Sequence, residues 1–424
     1  MDSSLALTHR VSLFDMVLSL SRALDLLHPA IGDHHMRVAY VGCCLAEALG
    51  LSERDIQTTL IAGAMHDAGT VSSSSRLHLL GEALQNYRIN ESTLFESIHA
   101  HGFVGRALLG EFEPFKAAAQ ALCFHHVEWD FGRGDHFAEE EVPLLSAILH
   151  LADRVAILPD PAGFILVQAS DIREQIALDS GRRFNPEVVA AFQEVAAKES
   201  FWLDLISSEK ELIIRRRFEH GALDLDLDAL LRLSGVFGKL VDFFTPFTLT
   251  HSRSVAQVSG ALGACLEFSA NDIKQLRIAG YMHDVGKLAV PPSILHKPGR
   301  LSQGETLVVR QHPYHTHQIL SAVPGLETVS VWAALHHERL DGKGYPYRHT
   351  ELPLGSRIVA VADIFTALTE NRPYREGMSR SAVIAILDQM ARERAIDGDI
   401  VAALRASYEE MRDQVHSAAC PIAS

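Results

Sequence analysis

Histidines and aspartates recur in a fixed order through the second half of this chain. They stand in short motifs such as HSRSV, HDVGK and HHERLDGKGYP, which are separated by apolar segments. Imidazole nitrogens and carboxylate oxygens are common ligands of iron and manganese. A single histidine in a helix is usually a structural residue, so only the ordered set of histidines and aspartates predicts a metal site. That set consists of His251, His283, Asp284, His312, His336, His337 and Asp363.

This set is too large for one metal ion. Five imidazoles and two carboxylates exceed the four positions of a tetrahedral zinc site. They suit two six-coordinate ions that share one carboxylate, with positions left for water and substrate. Neighbours on a helix point about 100° apart, so the adjacent pair His283 and Asp284 can serve two ions. The sequence therefore predicts a two-metal centre of the kind that activates water.

The same order of histidines and aspartates also occurs in the first half of the chain. His34 stands 217 positions before His251, and the offset falls to 211 and then 210 further along. It changes only between motifs, so each change is an insertion in a connecting loop of the first copy. We infer an ancestral duplication. It predicts a second candidate metal site formed by His34, His66, Asp67, His101, His125, His126 and Asp153.

The segments that must position these side chains have apolar residues at three- and four-residue spacing, which predicts helices. The clearest are MRVAYVGCCLAEALGL and SVAQVSGALGACLEF, and Asn185 followed by Pro186 predicts a helix start. No run of alternating apolar and polar residues is long enough to indicate a substantial sheet. KELIIRRRFEH is either a short strand or the link between two halves. We therefore expect an all-α protein.

Composition narrows the classes of function. The chain has 424 residues, 47% hydrophobic and 21% charged, as in soluble proteins of two or three domains. Its formal net charge of −15 argues against DNA or an anionic membrane as a partner, so an anionic ligand needs local positive charge such as metal ions. Five cysteines form no CxxC pair, and charged residues interrupt the apolar N-terminal stretch. We expect a cytoplasmic protein without a signal peptide or membrane span.

Six motifs of the second half occur together in the order found in one family. HSRSV, HDVGK, PPSILHKPGRLS, HPYHTHQIL, HHERLDGKGYP and VADIFTALTENRPYR make residues 225 to 385 resemble the HD-GYP family of HD-domain phosphodiesterases. The resemblance implies two tandem HD-domain helical bundles. The expected boundaries are a diverged HD domain over 1–205, a linker over 206–224 and the HD-GYP domain over 225–424. It also implies a bacterial second-messenger hydrolase.

The family pattern implies a role for each matching position. One metal would be held by His251, His283 and Asp363, the other by His312, His336 and His337, with Asp284 bridging the two. Asp284 and Lys287 would then be catalytic, Lys287 facing the scissile phosphate. Substrate contacts are implied for Lys287, Gly344, Tyr345, Arg372 and Arg375. Phe247 stands where trinuclear relatives carry a glutamate, so we expect two ions, Fe or Mn, rather than three.

The first copy keeps the ligand positions and departs elsewhere. Thr70 aligns with Lys287, FGRGD replaces GKGYP, and no segment resembles NRPYR. Three interpretations stay open. This half is a metal-binding regulatory or dimerisation domain, a second hydrolase with a different phosphate substrate, or a scaffold whose ligand positions are unfilled.

The resemblance implies hydrolysis of cyclic di-GMP to linear pGpG, GMP or both, through water activated between two metal ions. Cyclic GMP-AMP is an alternative substrate. From another class, the chain would be a catalytically weak protein that binds a cyclic dinucleotide and signals through partners. The complete ligand set with Lys287 in place favours the enzyme. A homodimer and signalling partners such as diguanylate cyclase domains are compatible with the resemblance.

Overall fold

Helices dominate the structure, a computed structural model that describes residues 10–26, 32–70, 99–219, 223–245, 250–370 and 376–419. Within these ranges the strands form only two short antiparallel pairs. β1 (Val11–Ser12) pairs with β4 (Asp224–Leu225), and β2 (His136–Phe137) pairs with β3 (Glu140–Glu141). The predicted all-α class is confirmed.

The chain divides into two compact units. The N-terminal unit spans residues 20–222, and the C-terminal unit combines residues 1–19 with 223–424. Helix α1 (Leu13–Asp25) passes from one to the other. The N-terminal unit continues with α2 (His34–Ala48), α3 (Glu53–Ala64), α4 (Ala100–Leu109), α5 (Lys116–Cys123), α6 (Leu144–Ile157), α7 (Ile165–Leu178), α8 (Pro186–Val195), α9 (Glu199–Ile206) and α10 (Lys210–Phe218).

The helices of the C-terminal unit carry the second set of histidine motifs. They are α11 (Leu227–Phe244), α12 (His251–Cys265), α13 (Ala270–Met282), α14 (Pro292–Leu295), α15 (Gln303–Val309), α16 (His312–Ser321), α17 (Glu327–Ala334), α18 (Leu354–Thr369), α19 (Arg380–Arg392), α20 (Gly398–Ala406) and α21 (Tyr408–Ala419). Short 3₁₀ turns at Glu113–Phe115, Asp130–Asp135 and Val285–Ala289 complete the helical structure of the described ranges.

The segment expected to be a strand or linker is instead helix α10. Ile214 and Phe218, four residues apart, are buried on one face. Lys210 of the same helix donates a hydrogen bond to Asp33 at 2.7 Å. Apolar side chains one turn apart give a helix a face to bury, and α10 uses that face within the N-terminal unit. The expected linker of 206–224 therefore contains a packed helix.

Residues 10–19 also differ from the expectation, since the sequence boundaries assigned them to the first domain. In the structure Val11 pairs with Leu225, and the Leu13 amide donates to the Leu223 carbonyl at 2.9 Å. These backbone bonds place the segment in the C-terminal unit. Too short to show a period of two, it gives no strand signal in the sequence.

The same close helix contact occurs in both units. A Cβ on Gly63 of α3 would lie 2.8 Å from the Ala39 Cα of α2, and a Cβ on Gly280 of α13 would lie 2.6 Å from the Ala256 Cα of α12. Only glycine permits backbones to approach this closely. The two glycines stand 217 positions apart, so the shared contact agrees with the inferred duplication.

In the described part of the chain, no helix combines the length and the apolar character that a membrane crossing requires. Cys43, Cys44 and Cys123 are buried thiols, and Cys265 is an exposed one. Cys420 lies outside the described residues.

Candidate metal centre

The predicted ligands of the C-terminal unit meet because they stand at the ends of helices that converge. His251 opens α12, His283 caps the C-terminus of α13, and Asp284 leads into the 3₁₀ turn. His312 opens α16, whereas Asp363 lies inside α18. His336 and His337 follow the end of α17. The structure thus brings together all seven residues that the sequence singled out.

These side chains form two groups around Asp284. Its Oδ2 atom lies 3.2 Å from His283 Nε2, and its Oδ1 atom lies 3.3 Å from His312 Nε2. Asp363 Oδ1 lies 3.3 Å from His251 Nε2, on the side of His283. Ligand atoms within 4.8 Å of one another define the groups His251, His283 and Asp363, and His312, His336 and His337. Each oxygen of Asp284 therefore faces a different group.

Backbone hydrogen bonds fix the tautomers of three of these histidines. The Nδ1 atoms of His283, His312 and His336 lie 2.6–2.8 Å from the carbonyl oxygen three residues earlier. A carbonyl only accepts, so Nδ1 carries the proton and the neutral ring presents an unprotonated Nε2. His312 Nε2 and His336 Nε2 are only 3.2 Å apart. Two lone pairs converge in a buried position, an arrangement that a shared cation stabilises, so the residues fit metal ions.

The charge states of the groups agree with this fit. Burial lowers the pKa of His312 to about 3 and of His336 to about 4, so both rings are neutral near pH 7, as a metal ligand must be. Burial opposes ionisation of Asp284, but the charges of His283 and Lys287 outweigh it and hold its pKa well below the ordinary value. The group of His312, His336 and His337 therefore offers neutral imidazoles beside the ionised carboxylate of Asp284.

His251 has a carboxylate at Nδ1, where His283, His312 and His336 have a backbone carbonyl. Its Nδ1 lies 3.1 Å from Oε2 of Glu370, a residue that is only 6% exposed. A carboxylate behind a ligating histidine fixes the ring and raises its basicity. Burial would lower the pKa of His251, but hydrogen bonds with Asp363 and Glu370 raise it to about 10. This position therefore attracts a cation, either a proton or a metal ion.

Sequence analysis missed Glu370, although a signal was present. It stands seven residues after Asp363, which places both on one face of a helix after two turns. Asp242 was missed as well. Its carboxylate accepts from the Ser252 amide at 2.9 Å and from the Ser252 hydroxyl at 2.7 Å, which satisfies an orphan amide in the first turn of α12. Asp242 thereby holds the helix end that carries His251.

Glycines hold the HD pair against the next histidine in both units. A Cβ on Gly286 would lie 2.0 Å from the His312 carbonyl oxygen, and a Cβ on Gly69 would lie 2.0 Å from that of His101. No side chain fits at such a distance. The glycine two positions after the aspartate of each HD pair therefore helps to align the ligands.

Lys287 lies at the edge of the metal-ligand cluster. Its Nζ is 2.5 Å from Asp284 Oδ2, and its side chain is 13% exposed. A lysine ammonium is a compact charge suited to phosphate. Its aligned residue Thr70 has a buried hydroxyl without a hydrogen-bond partner among the described residues. The two units thus differ in charge at the same place.

The signature loop packs directly on the second histidine group. The Tyr345 ring stacks on His337 with 4.8 Å between centroids, and the Arg310 guanidinium lies 4.3 Å from the Tyr345 ring centre. Gly342 has a φ of +73°, which favours glycine, whereas Gly344 is required by a close approach of the backbone. A Cβ on Gly344 would lie 2.5 Å from backbone atoms of the preceding turn. The loop therefore fixes the position of Tyr345 beside the metal ligands.

A buried carboxylate holds the end of this loop, and sequence analysis missed it. Glu338, 3% exposed, accepts hydrogen bonds from the backbone amides of Tyr347 at 2.7 Å and Arg348 at 3.1 Å. Its position directly after the histidine pair was the available signal. Arg372, Arg375 and Phe247, which the sequence analysis also named, lie outside the described residues.

The N-terminal unit assembles its aligned residues in the same way. His34 Nε2 lies 3.2 Å from His66 Nε2, and His101 Nε2 lies 3.2 Å from His125 Nε2. Asp67 approaches His66 and His101 with different oxygens, each at 3.3 Å. The remaining predicted ligands, His126 and Asp153, complete the cluster. His66 and His125 carry the same Nδ1 contact to a backbone carbonyl, so this cluster also fits a metal ion.

Comparison with known proteins agrees with two similar units. Residues 31–158 and residues 235–400 each match the HD domain family. The fold and the paired clusters therefore define a protein with two HD domains.

Three similar proteins show which HD-domain family this is. The 3'3'-cGAMP-specific phosphodiesterase 1 of Vibrio cholerae is 31% identical over 89% of this chain and 87% of that protein. The crystal structure of the cyclic GMP-AMP specific phosphodiesterase V-cGAP3 of V. cholerae superposes with a TM-score of 0.64 at 25% identity, covering 94% of this chain and 98% of that one. The cyclic di-GMP phosphodiesterase response regulator RpfG of Xanthomonas campestris is 37% identical over 39% of this chain and 45% of that protein. The chain belongs to the HD-GYP family of cyclic dinucleotide phosphodiesterases.

Proposed function

We propose that the C-terminal unit hydrolyses cyclic di-GMP to linear pGpG, GMP or both, with two iron or manganese ions bound by the seven predicted ligands. As a member of its family the protein is a metal-dependent phosphodiesterase. The observation that supports two ions most directly is the position of Asp284, whose two oxygens face different histidine groups. One carboxylate between two groups of ligands is what a bridged pair of ions requires.

The mechanism assigns distinct tasks to this chain's residues. Metal ions held by these ligands would supply hydroxide near neutral pH by lowering the pKa of water. Hydrolysis forms a bond from a water oxygen to phosphorus and breaks the bond from phosphorus to the ribose 3′-oxygen, and the proton that the water loses is transferred to that leaving oxygen. Lys287 offsets negative charge on the phosphoryl oxygens. Tyr345, stacked on His337, forms a rigid wall beside the reacting phosphate.

Cyclic GMP-AMP is the second candidate substrate, and one observation favours it. The V. cholerae protein that aligns with both units of this chain is named for 3'3'-cGAMP, whereas the relative named for cyclic di-GMP aligns with less than half of it. Another V. cholerae relative named for 3'3'-cGAMP aligns with only 30% of the chain, so the support comes from the length of the match with phosphodiesterase 1 alone.

For the N-terminal unit we propose metal binding without cleavage of cyclic dinucleotides. Coordination needs the ligands in their deprotonated state; the pKa values of His101, His125 and His126 are lowered by burial, whereas at His66 a bound cation would replace the proton. Holding a substrate in line with water is a further task that contributes roughly 7–11 kcal/mol. Thr70 carries no charge, and the FGRGD segment forms a 3₁₀ turn with positive φ at Phe131 and Gly132 rather than a tyrosine-bearing loop. Dimerisation, partners such as diguanylate cyclase domains and a cytoplasmic location are further predictions.

The decisive experiment measures products rather than binding. Purified full-length protein prepared anaerobically with Fe²⁺ or Mn²⁺ is incubated separately with cyclic di-GMP and 3'3'-cGAMP, and products are separated by chromatography. Linear pGpG or GMP from cyclic di-GMP supports the first candidate, whereas cleavage confined to 3'3'-cGAMP supports the second. Binding of both without product, in protein loaded with metal in both units, would leave only the signalling alternative.

A further inference from the structure

The N-terminal unit contains a cavity of about 210 Å³ beside its histidine cluster. The cavity lies between the loop after His126, the start of α6 and the turn before α8. Its walls combine an indole, a phenyl ring and aliphatic side chains with a few polar groups. No ligand of the candidate metal site lines it, so it is a separate feature of the unit.

One wall is the loop that replaces the family's signature sequence. The backbone amides of Trp129, Asp130 and Phe131 donate to the carbonyls of residues 183, 182 and 181 at 2.7–2.9 Å. Asp130 and Phe131 adopt left-handed φ values of 44° and 58°, which non-glycine residues rarely adopt. The hydrogen bonds outweigh this strain and fix the Trp129 backbone at the cavity wall. This loop therefore forms a wall of the cavity, whereas its C-terminal counterpart packs on His337.

His150 supplies a buried polar group at the cavity. The residue is 8% exposed, and its Nδ1 lies 2.8 Å from the His125 carbonyl oxygen. Nδ1 must donate to that carbonyl, which selects the tautomer of the ring with its proton on Nδ1. Nε2 is then an acceptor, and it has no hydrogen-bond partner in the described ranges. A buried acceptor without a partner is destabilising, and a ligand with an N–H donor would satisfy it.

The C-terminal unit lacks this group at the aligned position. Ala360 stands 210 positions after His150 and lies buried within α18. His150 is thus specific to the first copy and is not inherited from the metal-binding pattern that both copies share.

The cationic side chain that lines the cavity, Arg183, is already paired with carboxylates. The Nε atom of Arg183 lies 3.2 Å from Glu128, and its Nη1 atom lies 3.7 Å from Asp179. Asp135 and Glu141 add acidic groups at the exposed edge. A cavity with paired positive charge and acidic neighbours does not select a phosphate. Recognition must come from its aromatic walls and from the acceptor on His150.

We propose that this cavity binds a planar nitrogen heterocycle of nucleobase size, which packs on Trp129 and donates a hydrogen bond to His150. Bases offer N–H donors at their edges, and their faces stack on aromatic side chains. The volume accommodates one base and excludes a whole cyclic dinucleotide. The site is independent of hydrolysis in the C-terminal unit, so either proposal can fail alone.

The test is calorimetric titration of the full-length protein carrying Asp284→Asn, which prevents turnover in the C-terminal unit. The probes are guanosine, adenosine, GMP, cyclic di-GMP and inorganic phosphate. We expect a nucleoside to bind with one site per chain that depends on Trp129 and His150, and phosphate alone not to bind there. Trp129→Ala should weaken binding by about 10- to 100-fold through lost stacking. His150→Leu should weaken it by about 3- to 10-fold through one lost hydrogen bond.

A cavity-filling variant guards against loss of folding. Ala147→Leu fills the space from α6 without removing a polar group, and Ala190→Leu adds the same volume at an exposed position of α8. We expect the first to abolish nucleoside binding and the second to leave it unchanged, both with unaltered circular dichroism. Binding that survives Ala147→Leu, the absence of nucleoside binding at millimolar concentration, or binding of phosphate alone that Ala147→Leu abolishes would each overturn the proposal.

Discussion

The two units present the same ligands in different surroundings. In the C-terminal unit the side chain of the central aspartate, Asp284, is 5% exposed, whereas that of Asp67 in the N-terminal unit is 28% exposed. The aligned histidines His312 and His101 are 2% and 19% exposed. Distances between the ligand atoms are nearly equal in both. The comparison teaches that the coordination geometry and the environment of a metal centre diverge separately.

The geometry of the ligands and their environment can diverge separately because different residues determine them. Ligand geometry follows from features that both copies keep, namely the glycine contacts between helices and the backbone carbonyls that orient the aligned rings of His66 and His283. The environment follows from a few side chains around the cluster. His251 has Glu370 behind it, but Asp160, at the position aligned with Glu370, is exposed and accepts from the Ala162 amide. His34 Nδ1 has no hydrogen-bond partner in the described part of the chain.

The largest effect should come from removing the HD pair of one unit at a time. His283→Ala with Asp284→Ala should abolish cyclic dinucleotide hydrolysis, because the carboxylate that we propose as the bridge between the ions is lost. His66→Ala with Asp67→Ala should lower metal content and leave at least part of the rate. Product chromatography and elemental analysis measure both. If the N-terminal double variant loses all activity while its C-terminal unit stays folded and loaded, catalysis does not reside in one unit.

Lys287→Ala should lower turnover by about 10²–10³-fold and leave metal content unchanged, since one charge contact to the transition state is lost. Thr70→Ala is the matched control at the aligned position and should leave the rate unaltered. Steady-state kinetics with elemental analysis of the same samples provides the measurement. A Lys287→Ala enzyme that turns over at the parent rate would rule out the phosphate-facing role.

Glu370→Gln should weaken metal binding in the C-terminal unit by about 10- to 100-fold, the usual loss when a partner behind a ligand is changed. Asp160→Asn is the matched change in the N-terminal unit and should have no effect. Competition with a chelator of known affinity measures both. Equal affinities for the parent and Glu370→Gln proteins would show that His251 does not depend on this carboxylate.

The smallest effect concerns the pH dependence of stability without metal. The pKa of His251 is raised to about 10, so its contribution is present below the ordinary value near 6.5 and is lost as pH rises toward 10. The pKa values of His312 and His336 are lowered to about 3 and 4, so their contributions are lost as pH falls below 6.5. Each of these histidines changes the free energy of unfolding by up to about 1.4 kcal/mol per pH unit, in the pH range between its folded and unfolded pKa values.

Metal-free protein should therefore be most stable near pH 6.5, as thermal unfolding between pH 4 and 10 would show. Glu370→Gln should flatten the alkaline side, because one of the hydrogen bonds that raise the pKa of His251 is removed. A metal-free protein whose stability rises steadily from pH 6.5 to 10 would contradict this assignment.

Much of this architecture was readable from the sequence because ligands and helices leave periodic signals. The seven C-terminal residues and their N-terminal counterparts were identified by order and spacing, and the structure brings them together. Glu370 and Glu338 were missed, because a carboxylate that supports another residue has no motif of its own. Helix α10 was missed because three consecutive arginines hide the two apolar positions that it buries. The position of Trp129 depends on backbone hydrogen bonds of its loop with residues 181–183, a contact between distant segments that no local sequence pattern predicts.

The pairing of β1 with β4 bears on how the protein is made. A ribosome releases residues 20–222 before any of residues 223 onward, so the N-terminal unit can complete its core while the β1 segment waits without its partner strand. An unpaired strand edge is a place where chains associate wrongly. The C-terminal unit is therefore built from two stretches of sequence that are separated by the whole N-terminal unit. A gene fragment that starts at residue 225 would encode the C-terminal unit without β1.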